Sequence, residues 1–286
     1  MESTKSITKF SARVDQWVDT GHQNWCSVRL TARGLDFRVN QPAIDLLSFS
    51  DACDYTAKKL AQDWADWPLY LALSGGLDSE LAAEVLLRNQ IPFTPVIFEV
   101  ENVHATELWF AKHWCWRNGI EPLIIPLTGE QFDRKVLPYL CRQKYCSIRH
   151  HCNLWLANYV KDLGGKLITG LAEINFDLPT QQFYNGVVDW PFEFFDPVPQ
   201  PCGFFSYTPE VALAWINEFD ISINEQYNKI RIYNVPPRPK MISITPINNC
   251  TPFSQQIHRN FDRYTPVTPP NWLGSKTQVM QMLQNI

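Results

Sequence analysis

The sequence has no run of about 18 apolar residues, the length that a membrane-spanning helix needs. Its first 17 residues also lack the apolar core of a secretion signal, so we expect a cytoplasmic protein with no membrane segment. Basic residues are not in surplus: the net charge is −4 and the pI is about 5.9. General nucleic-acid binders usually carry a basic surplus, so this balance argues against a nucleic-acid partner.

Closely spaced cysteine pairs of the C-x₂-C type are missing, although the chain has eight cysteines. Without a secretion signal, we expect these cysteines to be thiols in a reducing compartment. Cys141, Cys146 and Cys152 lie near His150 and His151, but their C-x₄-C-x₅-C spacing differs from that of zinc ribbons. We predict structural thiols here, with a metal site or redox chemistry as the alternatives.

Two common nucleotide-binding motifs are absent as well. The chain has no GxxxxGK[ST], which excludes an ordinary P-loop NTPase, and no GxGxxG after a strand, which argues against a dinucleotide-binding fold. With 45% hydrophobic and 19% charged residues over 286 positions, the composition is that of a globular chain long enough for a full core.

What the sequence does contain is an alternation of short apolar runs and helical segments. The runs at 69–73, 94–100, 122–127 and 166–169 are typical of strands buried on both faces, and helical patterns separate them. Such alternation predicts right-handed crossovers and a Rossmann-like α/β fold, a parallel sheet flanked by helices.

The chain divides into three predicted regions. Residues 1–48 form a small β-rich lead-in with a hairpin around Arg33 and Gly34, and residues 49–189 hold the α/β domain. Residues 190–286 are rich in proline and aromatic residues, and we expect them to cover the C-terminal edge of the sheet, where ligands bind.

The segment most indicative of function is the 74–79 loop, which lies between a predicted strand and a predicted helix. Adjacent glycines let the backbone approach a bulky anion, and the N–H groups of the loop with the helix N-terminus behind them favour negative charge. A carboxylate in a phosphate site implies an intervening divalent cation, and Mg²⁺ is the usual one. The loop consists of Ser74, Gly75, Gly76, Leu77, Asp78 and Ser79.

This loop resembles the SGGxDS motif of the PP-loop, or N-type, ATP pyrophosphatases, and its spelling is most similar to the synthetase domain of asparagine synthetase. The resemblance covers about residues 60–180. It implies a HUP-type sheet, ATP bound with its pyrophosphate on the loop, and release of AMP and pyrophosphate.

The resemblance also implies roles for single residues. Asp78 would bind Mg²⁺, Glu173 would be a second metal ligand, and Lys240 would neutralise the departing pyrophosphate. The remaining predicted ATP contacts are the rest of the 74–79 loop, Ala72 before it, Phe98 at the tip of the second strand and Gly170 after the fourth. Ordinary packing explains Phe98 equally well, and a surface position explains Lys240.

The sequence therefore predicts an enzyme that cleaves ATP to AMP and pyrophosphate and activates a carboxylate for attack by an amine or ammonia. Asparagine synthetase takes its nitrogen from an N-terminal glutaminase domain that has cysteine at position 2. This chain has glutamate at position 2, and we expect no comparable domain in it. We therefore expect the nitrogen to come as free ammonia, as a small amine or from a partner protein. Two alternatives stay open: a nucleobase-modifying enzyme that acts on tRNA or DNA, and a non-catalytic nucleotide-binding module.

Overall fold

The computed structural model of the chain describes ten segments. These are residues 17–19, 26–31, 34–45, 48–101, 105–136, 148–170, 174–177, 179–185, 202–235 and 271–284. None of the helices in these segments is both long and apolar enough to cross a membrane.

The N-terminal region contributes a small antiparallel sheet, in which β1 (Trp17–Asp19), β2 (Cys26–Thr31) and β3 (Gly34–Val39) lie in sequence order. Strands β2 and β3 pair from Cys26–Val39 to Thr31–Gly34. This confirms the predicted hairpin.

The central sheet has five strands, all paired in parallel, in the order β10-β7-β4-β5-β6. They are β4 (Leu69–Ala72), β5 (Thr94–Val100), β6 (Leu123–Leu127), β7 (Lys166–Thr169) and β10 (Cys202–Gly203). The first four are the strands that the apolar runs predict, and the parallel α/β fold is confirmed. Strand β10 lies beyond the predicted boundary at residue 189, while the division into three regions stays a prediction.

Eight α-helices are described. They are α1 (Phe49–Asp63), α2 (Leu77–Arg88), α3 (Ala105–Arg117), α4 (Gly129–Lys135), α5 (Ile148–Asp162), α6 (Pro209–Glu218), α7 (Glu225–Tyr233) and α8 (Lys276–Gln284). The hydroxyl of Ser48 accepts the backbone N–H of Asp51 at 3.2 Å, which caps α1.

Helices cover both faces of the sheet because successive strand residues alternate between the faces. Helices α1, α2, α3 and α6 pack on one face, around strand residues such as Leu71 and Ile97. Helix α5 packs on the other, against Val96 and Leu167. The apolar runs are therefore continuous, as expected for strands buried on both sides.

A topological switch point lies between β4 and β7. The connection from β4 to β5 runs through α2 on one face, whereas the connection from β6 to β7 includes α5 on the other. Strands β4 and β7 are direct neighbours, with Ala72 opposite Thr169 at their carboxyl ends. In open α/β sheets ligands bind in the crevice outside such a point.

A third sheet was not predicted. Strands β8 (Ile174–Asp177), β9 (Gln182–Asn185) and β11 (Asn271–Gly274) form it in the antiparallel order β11-β9-β8. Phe183 of β9 packs edge-on against Phe219, just after α6, with ring centroids 5.3 Å apart. Strand β11 therefore pairs with β9, and β9 in turn packs against the residue that follows α6.

Candidate functional site

The 74–79 loop begins two residues after β4 and turns directly into α2. Gly76 is the N-cap of α2 in an extended conformation, with no side-chain cap, so the helix starts at Leu77. Gly75 has a φ of +80°, in the left-handed region where a side chain is strained. The predicted arrangement of strand, glycine turn and helix N-terminus is therefore present.

Two glycines, Gly75 in the loop and Gly170 after β7, lie where other parts of the backbone approach too closely for a side chain. A Cβ at Gly75 would overlap the carbonyl group of Glu107, near the start of α3. One at Gly170, just after β7, would overlap the backbone of Asp78 and Ser79. The turn after β7 thus lies directly against the 74–79 loop.

The two serines of the loop hold its backbone in shape. The buried hydroxyl of Ser79 accepts the N–H of Ser74 at 3.3 Å and donates to the carbonyl of Gly76 at 3.0 Å. The hydroxyl of Ser74 lies 3.1 Å from that of Ser79 and accepts the N–H of Gly76 at 3.3 Å. The loop backbone is therefore held in shape by the chain's own hydroxyl groups.

Asp78 is engaged by the C-terminal region through both carboxylate oxygens. The ammonium of Lys229 donates to Oδ2 at 2.9 Å, and the hydroxyl of Tyr233 donates to Oδ1 at 2.6 Å. Lys229 also lies 3.3 Å from a carboxylate oxygen of Glu225, one turn earlier on α7. Gly76 holds the N-cap position of α2, and the carboxylate of Asp78 faces these side chains from the first turn of the helix.

Burial and charge act in opposite directions on Lys229. Burial alone would lower the pKa of Lys229, but the carboxylates of Asp78 and Glu225 outweigh it and raise this pKa above the ordinary value. Burial, with Asp78 as the second cause, raises the pKa of Tyr233 well above 10. At neutral pH the site therefore holds an ammonium and a neutral phenol against the Asp78 carboxylate.

The Tyr233 ring is fixed by aromatic neighbours. It stacks on Phe49 at 5.6 Å and on Phe205 at 5.8 Å, with interplanar angles of 9° and 13°, and Trp215 lies at 5.8 Å. Only about 6% of the residue is exposed. The packed aromatic rings therefore hold the Tyr233 hydroxyl in place against Asp78.

Helix α7, which carries Lys229 and Tyr233, is anchored at several points. The buried amide of Asn228 accepts the N–H of Asp220 at 2.7 Å and donates to the carbonyls of Asp220 and Ile223. Arg231 donates to the carbonyl of Glu218 at the end of α6, where Lys276 from α8 also donates to nearby carbonyls. Two cations thus satisfy the C-terminal carbonyls of α6 and tie α7 and α8 to it.

The other predicted site residues differ in how far the structure describes them. Ala72 ends β4 directly before the loop. Phe98 is half-buried on β5 and contacts Phe132 and Trp155, with ring centroids 6.3 and 5.5 Å away, so ordinary packing accounts for it. Glu173 and Lys240 lie outside the described residues, and so does Cys141 with Cys146. The predicted roles of Phe98, Glu173 and Lys240 stay predictions.

Sequence reasoning missed Glu225, Lys229 and Tyr233. A signal was present: Asn224 is an N-cap residue, and these three follow at intervals of four, which places them on one face of a helix. That pattern predicts α7, but it does not say that this face meets Asp78.

No protein-family model matches the chain, and no curated protein does. Solved structures are similar to the chain in part, among them the following two. The NH3-dependent NAD synthetase from Campylobacter jejuni has a TM-score of 0.34 at 16% identity, over 44% of this chain and 56% of that one. The chain thus matches little more than half of that synthetase. The NMN synthetase from Francisella tularensis has a TM-score of 0.38 at 15% identity, over 84% of this chain and 94% of that one. Likenesses at this level say nothing about substrate or reaction.

Proposed function

We propose that the protein binds ATP at the carboxyl ends of β4 and β7, with the phosphates on the 74–79 loop, and cleaves it to AMP and pyrophosphate. The observation that carries the proposal is the position of this loop. A pre-formed glycine turn lies at the switch point of a parallel sheet, with a helix N-terminus behind it and a carboxylate in its first helical turn. Helix N-termini and glycine turns are favourable sites for phosphate groups.

The carboxylate of Asp78 would repel bound phosphates unless a cation lay between them. The residues present fit Mg²⁺, since Asp78 offers a carboxylate that already pairs with a cation, the ammonium of Lys229. When bound, Mg²⁺ would supply charge neutralisation between Asp78 and the phosphates.

Lys229 is the residue that we assign to the departing pyrophosphate. The sequence predicts Lys240 for this role, but Lys240 lies outside the described residues, and among those residues Lys229 contacts the loop. Its four-carbon stem is flexible and its ammonium is a compact charge, so it can turn from Asp78 to a phosphate oxygen without movement of the anchored helix. A positive charge that meets the leaving group stabilises the transition state more than the ground state.

The proposed reaction is activation of a carboxylate. An oxygen of the acceptor carboxylate attacks the α-phosphorus, and the bond from that phosphorus to the oxygen bridging it to the β-phosphorus breaks. Pyrophosphate leaves with the electron pair. An amine or ammonia then attacks the acyl carbon, AMP leaves with its electron pair, and the nitrogen loses a proton to solvent. The chain would contribute positioning and charge, with no covalent intermediate on the protein.

The test is a screen of carboxylic acids, including amino acids, with ammonia or simple amines, in which pyrophosphate release from ATP is measured. We expect at least one acid to stimulate formation of AMP and pyrophosphate in equal amounts. Release of ADP and phosphate instead would contradict the assignment, because it would place cleavage at a different bond.

A second candidate, activation of a nucleobase in tRNA or DNA, is favoured by one observation. Helix α3, whose start abuts Gly75, exposes Trp109, His113 and Trp116 on its outer side, and Trp109 stacks on His113 at 4.8 Å. Exposed aromatic rings can stack on unpaired bases. Salt-dependent tRNA binding that is lost in Trp109→Ala would favour this candidate, whereas its absence would leave the small-molecule reaction.

A further inference from the structure

Lys229 lies between two carboxylates at the mouth of the proposed phosphate site. Its ammonium is 2.9 Å from Asp78 and 3.3 Å from Glu225, and only 12% of its side chain is exposed, against 28% for Asp78. One positive charge therefore faces two negative charges. The position of the ammonium is one that a divalent cation would also favour.

A divalent cation cannot join this arrangement while Lys229 stays in place. Both oxygens of Asp78 are engaged, Oδ2 by Lys229 and Oδ1 by Tyr233. A metal ion at Oδ2 would stand within a few ångströms of the ammonium, and the two positive charges would repel each other strongly in a half-buried site. Binding of the metal thus requires Lys229 to leave.

Lys229 also needs a new partner before it can leave. The backbone of α7 is held by Asn228, Arg231 and the stacked ring of Tyr233, so the helix does not carry the ammonium away. The side chain must turn within the site, and an ammonium without a counter-charge there is costly. Phosphate oxygens on the adjacent 74–79 loop would provide that counter-charge.

We propose that Lys229 stands in for the divalent cation in the nucleotide-free protein, so that the metal binds at Asp78 and Glu225 only together with a nucleotide that accepts the lysine. The inference rests on the proposed function, since it takes Asp78 as a metal residue and the loop as the phosphate site. Tyr233 is a positioning residue, because it holds the Asp78 carboxylate while the two cations exchange. Free metal is thereby excluded, and nucleotide and metal bind as a coupled pair.

The test measures binding of Mn²⁺, by its electron paramagnetic resonance signal, to the whole chain without nucleotide. The wild-type protein should bind Mn²⁺ weakly, and Lys229→Met should bind it more tightly by on the order of tenfold, which lies within the usual range for coupled ligands. Loss of a residue that is merely structural would not tighten metal binding. Lys229→Gln serves as a second variant if the methionine variant does not fold, as judged by circular dichroism.

A matched control exists elsewhere in the chain. Asp63 accepts hydrogen bonds from Lys59 and from the hydroxyl of Tyr207, and its side chain is also 28% exposed. Lys59→Met therefore removes the lysine from a similar trio away from the loop, and it should leave Mn²⁺ binding unchanged. The double variant Lys229→Met with Asp78→Asn should lose the gain. If Lys229→Met and Lys229→Gln bind Mn²⁺ no more tightly than the wild type, the inference is wrong.

A second arm uses α,β-methylene-ATP, which cannot be cleaved between the α- and β-phosphates. This analogue should tighten Mn²⁺ binding more in the wild type than in Lys229→Met, because only the wild type has a lysine to release. Equal tightening in both would overturn the coupling. Turnover is not needed for either arm, so a gain in Mn²⁺ binding without AMP formation would sink the reaction and keep the exchange. AMP formation without tighter Mn²⁺ binding in Lys229→Met would support the reaction and rule out the exchange.

Discussion

The ammonium of Lys229 and the carboxylate of Asp78 meet at 2.9 Å although 151 positions separate the two residues in the sequence. This ion pair joins the glycine loop of the central sheet to helix α7 in the C-terminal region. It makes the C-terminal region part of the candidate site rather than only a cover over it.

Removal of Lys229 should cost more stability than removal of an exposed lysine. Lys229→Met leaves Asp78 and Glu225 without their counter-ion in a half-buried site, so we expect a loss of about 1–3 kcal/mol in the free energy of unfolding. Lys59→Met, whose side chain is 42% exposed, should cost less than about 1 kcal/mol. Urea unfolding of both variants measures the difference, and equal losses would contradict the packing described for Lys229.

Gly75 should be far less tolerant of alanine than Gly119. Both have a positive φ, so each substitution carries a left-handed strain of about 1–2 kcal/mol. At Gly119 nothing lies within 4 Å of the added Cβ, whereas at Gly75 it would overlap the carbonyl of Glu107. We expect Gly75→Ala to be less stable than Gly119→Ala by at least about 1 kcal/mol. Thermal unfolding compares them, and similar melting temperatures would show that the loop does not lie against α3.

Gly76 offers a test of the phosphate site that does not disturb the fold. It is extended, and an added Cβ would meet no atom closer than the Ser74 hydroxyl at 3.4 Å. Gly76→Ala should therefore change stability by less than about 0.5 kcal/mol. If phosphates approach the loop backbone, the same change should weaken ATP binding by about tenfold or more, which is 1.4 kcal/mol. Calorimetric titration with ATP decides, and unchanged affinity would argue against phosphate at Gly76.

Stability should fall at alkaline pH. Burial raises the pKa of the Cys115 thiol to about 11 and that of the Cys152 thiol to about 12, and burial also raises the pKa of Cys53. Unfolded thiols ionise near pH 8.5, so the unfolded state loses these protons first. Because the folded pKa values are the raised ones, stability is full below about pH 8.5 and declines as pH rises toward the folded values.

The melting temperature measured between pH 7 and pH 11 checks this. We expect a plateau followed by a loss of several degrees, since about 1 kcal/mol moves the melting temperature of a chain of this size by about 2–4 °C. Cys53→Ala removes one buried thiol, so its decline should be shallower. A melting temperature that stays constant to pH 11 would rule out buried, protonated thiols.

Much of the fold could be predicted because its signals are local. Strands β4, β5, β6 and β7 are continuous apolar runs between turns, and the glycine loop follows the first of them. Strand β10 has two residues, which is too short for any periodic pattern, and β11 finds its partner β9 only after a long stretch of chain. These elements depend on tertiary contacts, and no local pattern in a single sequence predicts such contacts.

The candidate site likewise has a part that is local in sequence and a part that depends on tertiary contacts. The 74–79 loop could be predicted because its residue types, their order and their place before a helix are contiguous in sequence. The contact of Asp78 with Lys229 and Tyr233 could not, since it depends on how α7 packs, and that is fixed by Asn228, Arg231 and the aromatic rings around Tyr233. The sequence predicts Lys240 only from its position late in the chain, and no local feature distinguishes Lys240 from Lys229.

The most direct test of the central claim is the identity of the products of ATP, for the wild type and for Asp78→Asn. Asparagine still accepts the hydroxyl of Tyr233, and Gly76 rather than Asp78 caps α2, so the variant keeps the loop but loses the charge. Chromatography of adenine nucleotides, with an acceptor from the carboxylate screen and Mg²⁺ present, separates AMP from ADP. The account predicts AMP and pyrophosphate in equal amounts from the wild type and a rate at least about a hundredfold lower from Asp78→Asn, or about 2.7 kcal/mol. Equal rates of AMP formation in the two proteins, or ADP as the product, would contradict it.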